Sequence, residues 1–376
     1  MRRGPDGVWR IRGYDEARTV LRSTGTVQAG LGIETVRKLP ARVRRPVLYR
    51  DGPEHREHRR QTARFFTPRR VSQEYRPTMI RIAEAQLAKL RAAGKADLAD
   101  LSFHLAIGVA ASVIGLTEGG PGLRRRLERF IPERFGTPGF TSVEGIRWVV
   151  RQNSNWLRFY VADVRPAIRA HRRARRDDLI SHLLDEGCTS PEILGECLSF
   201  AAAGMFTTRE FVTVAAWHLF SDDALLRRYR AADEDERLAV LHELLRLEPV
   251  IGRLRRRTTA PLDVRSTDGT VTVPSGELVE LLIDSANTDP RAVGQQPECL
   301  RPQRSIDGLA VASGLSFGDG PHRCPGAHIA ILETDIFLSR LFAEPGIRLR
   351  SEPRLTFQEA IDSYALRGMT VAVGDG

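Results

Sequence analysis

The sequence predicts a mainly α-helical fold with a small β portion, and three observations carry that prediction. From Gly52 to Glu248 the chain reads as one helix after another. The helix opened by Ser190-Pro191-Glu192 runs to about Phe220, well beyond the average helix length, so it is expected to cross the whole core. Beyond it, Val264, Val271, Val273, Val279 and Leu281 alternate around the turn pairs Asp268-Gly269 and Ser275-Gly276, the pattern of short strands.

Taken in order, Val8 to Ile11 is a short strand and Tyr14 to Arg22 a helix, while Ser23 to Arg50, with several glycines and prolines, is irregular. Helices follow over Glu54 to Phe66, Ser72 to Ala93 and Ala96 to Leu116, with several more to Leu184. Ser190 is the expected cap of the long helix, with Pro191 in its first turn. Glu234 to Glu248 is another helix, stopped by Pro249, and Ala327 to Phe342 is a last, apolar-rich one. Length alone suggests about two domains, but no linker, repeat or low-complexity tract divides the chain, so residues 1–376 are expected to form one domain.

Four cysteines without a framework spacing point to a reducing, cytoplasmic setting. The longest apolar runs, such as Leu105 to Ile114 and Ala201 to Phe206, fall short of a membrane span, so a soluble protein is expected. The formal charge of +10 invites a nucleic-acid reading. However, only Lys38, Lys89 and Lys95 among 57 basic residues are lysine, and the arginines spread along the chain. Coding bias explains this, and no nucleic-acid signature accompanies it. Clusters such as Arg124-Arg125-Arg126 and Arg172 to Arg176 read as solvated helix faces.

The chemistry concentrates in Phe317-Gly318-Asp319-Gly320-Pro321-His322-Arg323-Cys324-Pro325-Gly326. Pro325 suits a first helical position, which sets Cys324 at a helix N-terminus, where free N–H groups and the dipole favour a thiolate. Gly318 and Gly320 allow a tight bulge that can approach a flat ligand. Such a thiolate is a metal ligand or a nucleophile. A zinc reading of His322, Cys324 and His328 lacks the usual ligand spacing.

This segment resembles the haem-thiolate loop of the cytochrome P450 family, Phe-Gly-x-Gly-x-His-x-Cys-x-Gly, at Phe317, Gly318, Gly320, His322, Cys324 and Gly326, and Ala330 and Glu333 match the following helix. The resemblance spans nearly the whole chain, with an N-terminal segment short relative to the family. It implies haem b (iron protoporphyrin IX) held by Cys324 between the long central helix and the cysteine-loop helix. Glu243 and Arg246 look like the family's Glu-x-x-Arg pair, a buried brace for that loop. His55 and Arg59, at i and i+4 on one helix face, resemble a propionate-binding pair; His58 is out of phase and expected at the surface. His322 and one arginine of Arg253 to Arg257 would add cations, Arg256 being favoured and Arg255 an alternative.

Ala203-Gly204-Met205-Phe206-Thr207-Thr208 aligns with the family's Ala-Gly-x-Asp/Glu-Thr-Thr over the oxygen-binding face. Thr207 would offer its hydroxyl there and Gly204 a close approach. Phe206 replaces the usual acid, so protons must come through water, a substrate group or Glu210, whose other reading is a solvent-facing ion pair with Arg209. By resemblance Met205, Phe206, Val250, Ile251 and Ile361 face substrate, and Ser23 to Arg50 is a pocket lid.

The implied activity is a monooxygenase acting on a small organic, carrier-borne or peptide-like substrate in specialised metabolism. It would draw electrons from NAD(P)H through ferredoxin reductase and ferredoxin, as a monomer with no nucleic-acid or membrane partner. The alternatives are an oxidative C–C or C–O coupling enzyme without net oxygen insertion and, more remotely, a non-catalytic haem-binding protein.

Overall fold

A computed structural model describes residues 1–30, 32–36, 44–119, 122–130, 142–267, 269–304, 312–359 and 361–374. Its helices of seven residues or more, in chain order, are α1 (Tyr14–Arg22), α2 (Gly52–Thr62), α3 (Arg76–Ala93), α4 (Leu98–Ile114) and α5 (Leu123–Phe130). Then come α6 (Val143–Phe159), α7 (Arg165–Arg173), α8 (Leu179–Asp185) and the long α9 (Ser190–Ser221). The last are α10 (Asp223–Ala231), α11 (Glu234–Leu247) and α12 (Ala327–Leu341). No helix among the described residues is long and apolar enough to cross a membrane.

Local chemistry accounts for the helix ends. Gly94 and Gly115 take left-handed φ values of 70° and 95° after α3 and α4, where a side chain would be strained. Asp97 caps α4 by accepting from Asp100 N. The long helix is capped by Thr189 rather than Ser190. The Thr189 hydroxyl and the Glu192 carboxylate, three residues apart, form a reciprocal capping box.

The strands among the described residues build four small sheets. β1 (Arg2–Arg3), β2 (Trp9–Ile11), β3 (Thr26–Ala29), β5 (Arg253–Thr258) and β8 (Leu278–Leu282) form the largest, in the order β1-β2-β8-β5-β3, with β2 and β8 parallel. β4 (Lys95–Asp97) pairs with β12 (Thr370–Ala372), which pairs with β9 (Arg348–Ser351). β6 (Leu262–Ser266) with β7 (Gly269–Val273), and β10 (Arg354–Gln358) with β11 (Ser363–Arg367), are antiparallel pairs. Asp268, half of an expected turn, lies outside the described residues.

Ser23 to Arg50 is less irregular than expected. It holds β3, a helical turn at Ile33–Val36 and a 3-10 turn at Val47–Tyr49. β3 escapes a local reading because its partner is remote, Gln28 lying opposite Arg256. The pocket-lid expectation falls partly on residues 31 and 37–43, outside the described residues.

Apolar burial assembles the helices around α9, whose most extensive helix contact is with α4. One core cluster joins α3, α4, α9, α10, α11 and α12 through residues such as Met79, Leu87, Val212, Tyr229, Leu241 and Phe337. A second gathers Phe65, Phe103, Phe159, Ile180, Ile193 and Cys197 around the first half of α9. Burying each such side chain contributes roughly 1.5–3 kcal/mol.

Candidate active site

The cysteine loop is held by its own backbone and by three neighbouring elements. Gly318 and Gly320 adopt φ +67° and +65°. Cys324 N donates to Phe317 O at 2.8 Å, closing the loop. A Cβ on Gly320 would lie 2.5 Å from Leu21 O and 2.9 Å from Arg22 Cα, so only glycine lets the loop pack on the end of α1. Arg18 and Arg22 of that helix grip Asp319 at 2.9 and 2.8 Å, and Asp319 accepts from Gly320 N at 2.7 Å.

Gly326, not Pro325, is the residue that precedes α12, so Pro325 stands outside the helix. The Cys324 side chain is accessible. Protein nevertheless packs around its sulfur, and this raises the thiol's pKa against the opposing pull of the Gly326 N–H, Arg59 and Arg323. The helix terminus alone therefore does not secure a thiolate; a metal cation at the sulfur would supply the missing charge.

Histidine and arginine side chains gather beside this loop. The His55 and His322 rings stack at 4.0 Å between centroids. His322 Nε2 contacts Asp51 Oδ1 at 3.0 Å, and Asp51 also accepts from Gln28 N at 3.1 Å. His55 is buried, its Nδ1 has no partner among the described residues, and burial lowers its pKa to about 3. Arg256 is buried on β5, donates to the Arg255 carbonyl at 2.8 Å, and falls to about 10 through desolvation, with Asp51 opposing.

Arg255, by contrast, is engaged with Glu280 at 3.0 Å and Asp362 at 2.6 Å. Between the two candidates the geometry favours Arg256 as the uncommitted charge. Arg59 donates to Arg323 O at 2.5 Å, and desolvation lowers its pKa, with Cys324 opposing. Buried cations and an orphaned imidazole nitrogen beside an accessible thiol fit a ligand carrying both a metal and carboxylates, as haem does.

His58 departs from its expected place. It is 1% exposed, and neither ring nitrogen has a hydrogen-bond partner among the described residues. Its Nε2 lies 3.8 Å from Glu196 Oε1, a carboxylate already held by Arg50 at 2.5 Å and by Val47 N at 3.0 Å. A buried neutral imidazole here joins α2 to α9.

On α9, Ala203, Gly204 and Thr207 lie on the accessible side, with Thr207 Oγ1 donating to Ala203 O at 2.5 Å. Met205 and Phe206 do not face an open site. Met205 is 0% exposed in the second core cluster, and Phe206 packs on Phe103 at 5.2 Å with the Arg209 guanidinium over its ring. Helical phase explains the correction, since positions 205 and 206 are turned away from the stripe that 203, 204 and 207 share.

Glu210 is buried rather than solvent-facing, in a bidentate pair with Arg367 of β11 at 2.7 and 2.8 Å and beside Arg209. Thr208 Oγ1 donates to Glu333 Oε1 on α12 at 2.9 Å. Glu333 is buried, its Oε2 has no partner among the described residues, and desolvation lifts its pKa to about 8.

Glu243 and Arg246 form a buried bidentate pair, both contacts 2.7 Å. Their network reaches the cysteine loop. Arg246 Nη1 donates to Asn287 O, and Asn287 binds Leu315 N and Ser316 Oγ just before Phe317. Arg304 is a third member, donating to Glu243 Oε1 at 3.2 Å and to the carbonyls of Val293, Gln295, Gln296 and Cys299. Neither Asn287 nor Arg304 announces itself in sequence, because each acts across a loop without periodicity.

Gly252 N donates to Ile361 O at 3.1 Å, which brings the Val250-Ile251 segment and the turn at Ile361 together. Ile361 is buried, while Val250 and Ile251 are half-buried.

Comparison with known proteins places this arrangement among relatives. The Cytochrome P450 family profile matches residues 238–345. The chain is 30% identical to the erythromycin C-12 hydroxylase of Saccharopolyspora erythraea, over 94% of this chain and 87% of the relative. It is 29% identical to the cytochrome P450 monooxygenase PikC of Streptomyces venezuelae, over 93% and 82%. A solved structure of P450BioI in complex with hexadec-9Z-enoic acid ligated acyl carrier protein superposes with a TM-score of 0.79 at 24% identity, covering 98% of this chain and 93% of that one.

Proposed function

Because the chain belongs to the cytochrome P450 family and is a monooxygenase of it, we propose that Cys324 binds haem iron and that the cations beside it take the haem carboxylates. The observation that carries this reading is the gathering of an accessible thiol with buried, uncommitted His55 and Arg256. Haem bound through a thiolate supplies dioxygen activation and the oxidising power. The protein supplies the ligand, charge balance, protons and a shaped pocket.

In this proposal Arg59 and Arg256 neutralise carboxylates that would otherwise be buried without counter-charge, and His55 and His322 offer ring N–H donors to them. Glu243, Arg246 and Arg304 hold the backbone from which Phe317 and Cys324 project. Ala203, Gly204 and Thr207 present a small, hydroxyl-bearing surface. With phenylalanine, which carries no acidic proton, at position 206 and Glu210 committed to Arg367, neither position supplies an acid. Glu333, neutral over much of the physiological range, holds a proton at its carboxyl beside Thr208 and is the group best placed to supply one. Ile251 and Ile361 would contact an apolar part of the substrate.

Further parts of the reading are a single domain over 1–376, a cytoplasmic monomer, and electrons from NAD(P)H by way of ferredoxin reductase and ferredoxin. The substrate would belong to specialised metabolism, which similarity to a hydroxylase of erythromycin supports. A carrier-borne substrate finds support in the acyl carrier complex of a fold neighbour. Hydroxylation is the leading reaction, and oxidative coupling is the second because the acid is absent at position 206.

The test is the absorption spectrum of reduced protein under carbon monoxide, beside Cys324→Ala. The proposal requires a strongly red-shifted Soret band that the variant loses; a band retained in the variant, or folded protein that takes up no haem, overturns it. Labelled dioxygen appearing in product separates hydroxylation from coupling.

A further inference from the structure

Helix α6 and the turn after it expose an apolar stripe that the other described residues leave uncovered. Val143, Ile146, Val150, Leu157 and Val161 are 65%, 43%, 63%, 62% and 48% exposed, five of the eight large hydrophobic residues exposed among the described residues. Such a concentration on one element marks an interaction face. At about 100° per residue, Val143, Ile146, Val150 and Leu157 fall within an arc of about 60°. Their spacing of three, four and seven follows a heptad, and the row from Val143 to Val161 runs about 27 Å.

Alongside the stripe stands a second row. Arg147, Arg151 and Arg158 occupy the adjoining arc of about 40° on one flank, all exposed, and none has an ion-pair partner among the described residues. The acidic residue on this face is Glu144, in the first turn of the helix, three residues before Arg147.

We infer that α6 is a docking surface for an acidic amphipathic helix of another protein, its aliphatic residues meeting Val143 to Val161 and its carboxylates meeting Arg147, Arg151 and Arg158. The narrow heptad seam suits one helix. The one-sided arginine row demands carboxylates on the matching flank and sets the partner's orientation. A second copy of this chain would bring the same arginines against each other, which like-charge contact disfavours. The surface stands apart from the Cys324 loop and does not depend on how that loop is read.

The experiment titrates full-length, haem-loaded protein into a fluorescent synthetic helical peptide of three heptads, with leucine at a and d and glutamate on one flank. A lysine-flanked peptide serves as control. Expected are saturable binding of the glutamate peptide, at least tenfold weakening on going to high salt, and no binding of the lysine peptide. The variant Val150→Asp/Leu157→Asp should abolish binding. The variant Arg147→Glu/Arg151→Glu/Arg158→Glu should transfer preference to the lysine peptide. Circular dichroism and the haem spectrum, unchanged in both variants, show that neither effect comes from misfolding.

Absence of binding, or binding indifferent to both variants, overturns the inference. So does a wild-type dimer in sedimentation that Val150→Asp/Leu157→Asp dissociates, which assigns the face to a second copy. Capture of phosphatidylglycerol vesicles that the same variant abolishes, without peptide binding, assigns it to a lipid surface and equally overturns it.

Discussion

At the scale of single residues, the fate of a proton depends on burial. Cys324 and Glu333 are both surrounded by protein that disfavours their charged forms, and both pKa values rise. A bound metal cation would resolve the first case, and nothing among the described residues resolves the second. The Glu333 carboxyl, with one oxygen taken by Thr208 and the other unpartnered, is protonated below about pH 8 and charged above it. Glu333→Gln keeps the contact to Thr208 and removes the proton. We expect turnover to fall by roughly tenfold to a hundredfold, below the range for losing a direct general acid because water remains. Product formed per NAD(P)H consumed should fall with it. A carboxyl infrared band that disappears as the pH passes 8 in the wild type should be missing in the variant. Intact coupling together with an absent wild-type band would remove Glu333 from the proton supply.

At the scale of elements, the cysteine loop keeps its shape because Glu243 organises three segments at once: its own helix through Arg246, the Asn287 turn through Arg246 Nη1, and the loop before residue 305 through Arg304 and Arg301 N. Glu243→Ala would leave two arginines buried without their carboxylate, at a cost of about 3–5 kcal/mol. The expected result is protein that melts early or is recovered without haem, whereas Glu243→Gln, retaining an acceptor, should lose less. A haem-loaded Glu243→Ala variant with wild-type melting would show that the network does not brace the loop. Of this assembly the sequence makes legible what is local. The i, i+3 pair, the glycines on either side of Asp319 and the α1 boundaries all follow from short-range chemistry. The contacts of Arg304 with Glu243 and of Thr208 with Glu333 join residues 61 and 125 positions apart, and no periodic pattern encodes such pairings. Met205 and Phe206 illustrate the other limit. The motif places them correctly on the helix, but whether position 206 points to a pocket or to Phe103 depends on the rotation of α9 against α4.

For the whole molecule, buried histidines make stability a function of pH. His55, His58, His104, His182 and His242 all have lowered pKa values with burial as the largest cause, while the raised values of Glu333 and Glu196 act in the opposite sense. Because these groups compete, the melting curve of the wild type alone cannot be assigned to any one of them, but a variant that removes one titration can. His58 suits this, since it stands apart from the cysteine loop and joins α2 to α9 beside the Arg50–Glu196 pair. Burial, then Arg50 and Arg44, depress it from 6.5 to about 3. The unfolded chain takes up this proton below about pH 6.5 and the native protein does not. The stability that neutral His58 contributes is therefore complete above pH 6.5 and is lost as the pH falls toward 3. The loss runs at about 1.4 kcal/mol per pH unit. His58→Gln, neutral throughout, should melt below the wild type at pH 7.5 through altered packing. The gap should then narrow steadily on acidification from pH 6.5 and can reverse near pH 5. Parallel melting curves for the two proteins across that range would mean that His58 is protonated in the native state, and that Glu196 rather than Arg50 sets its charge.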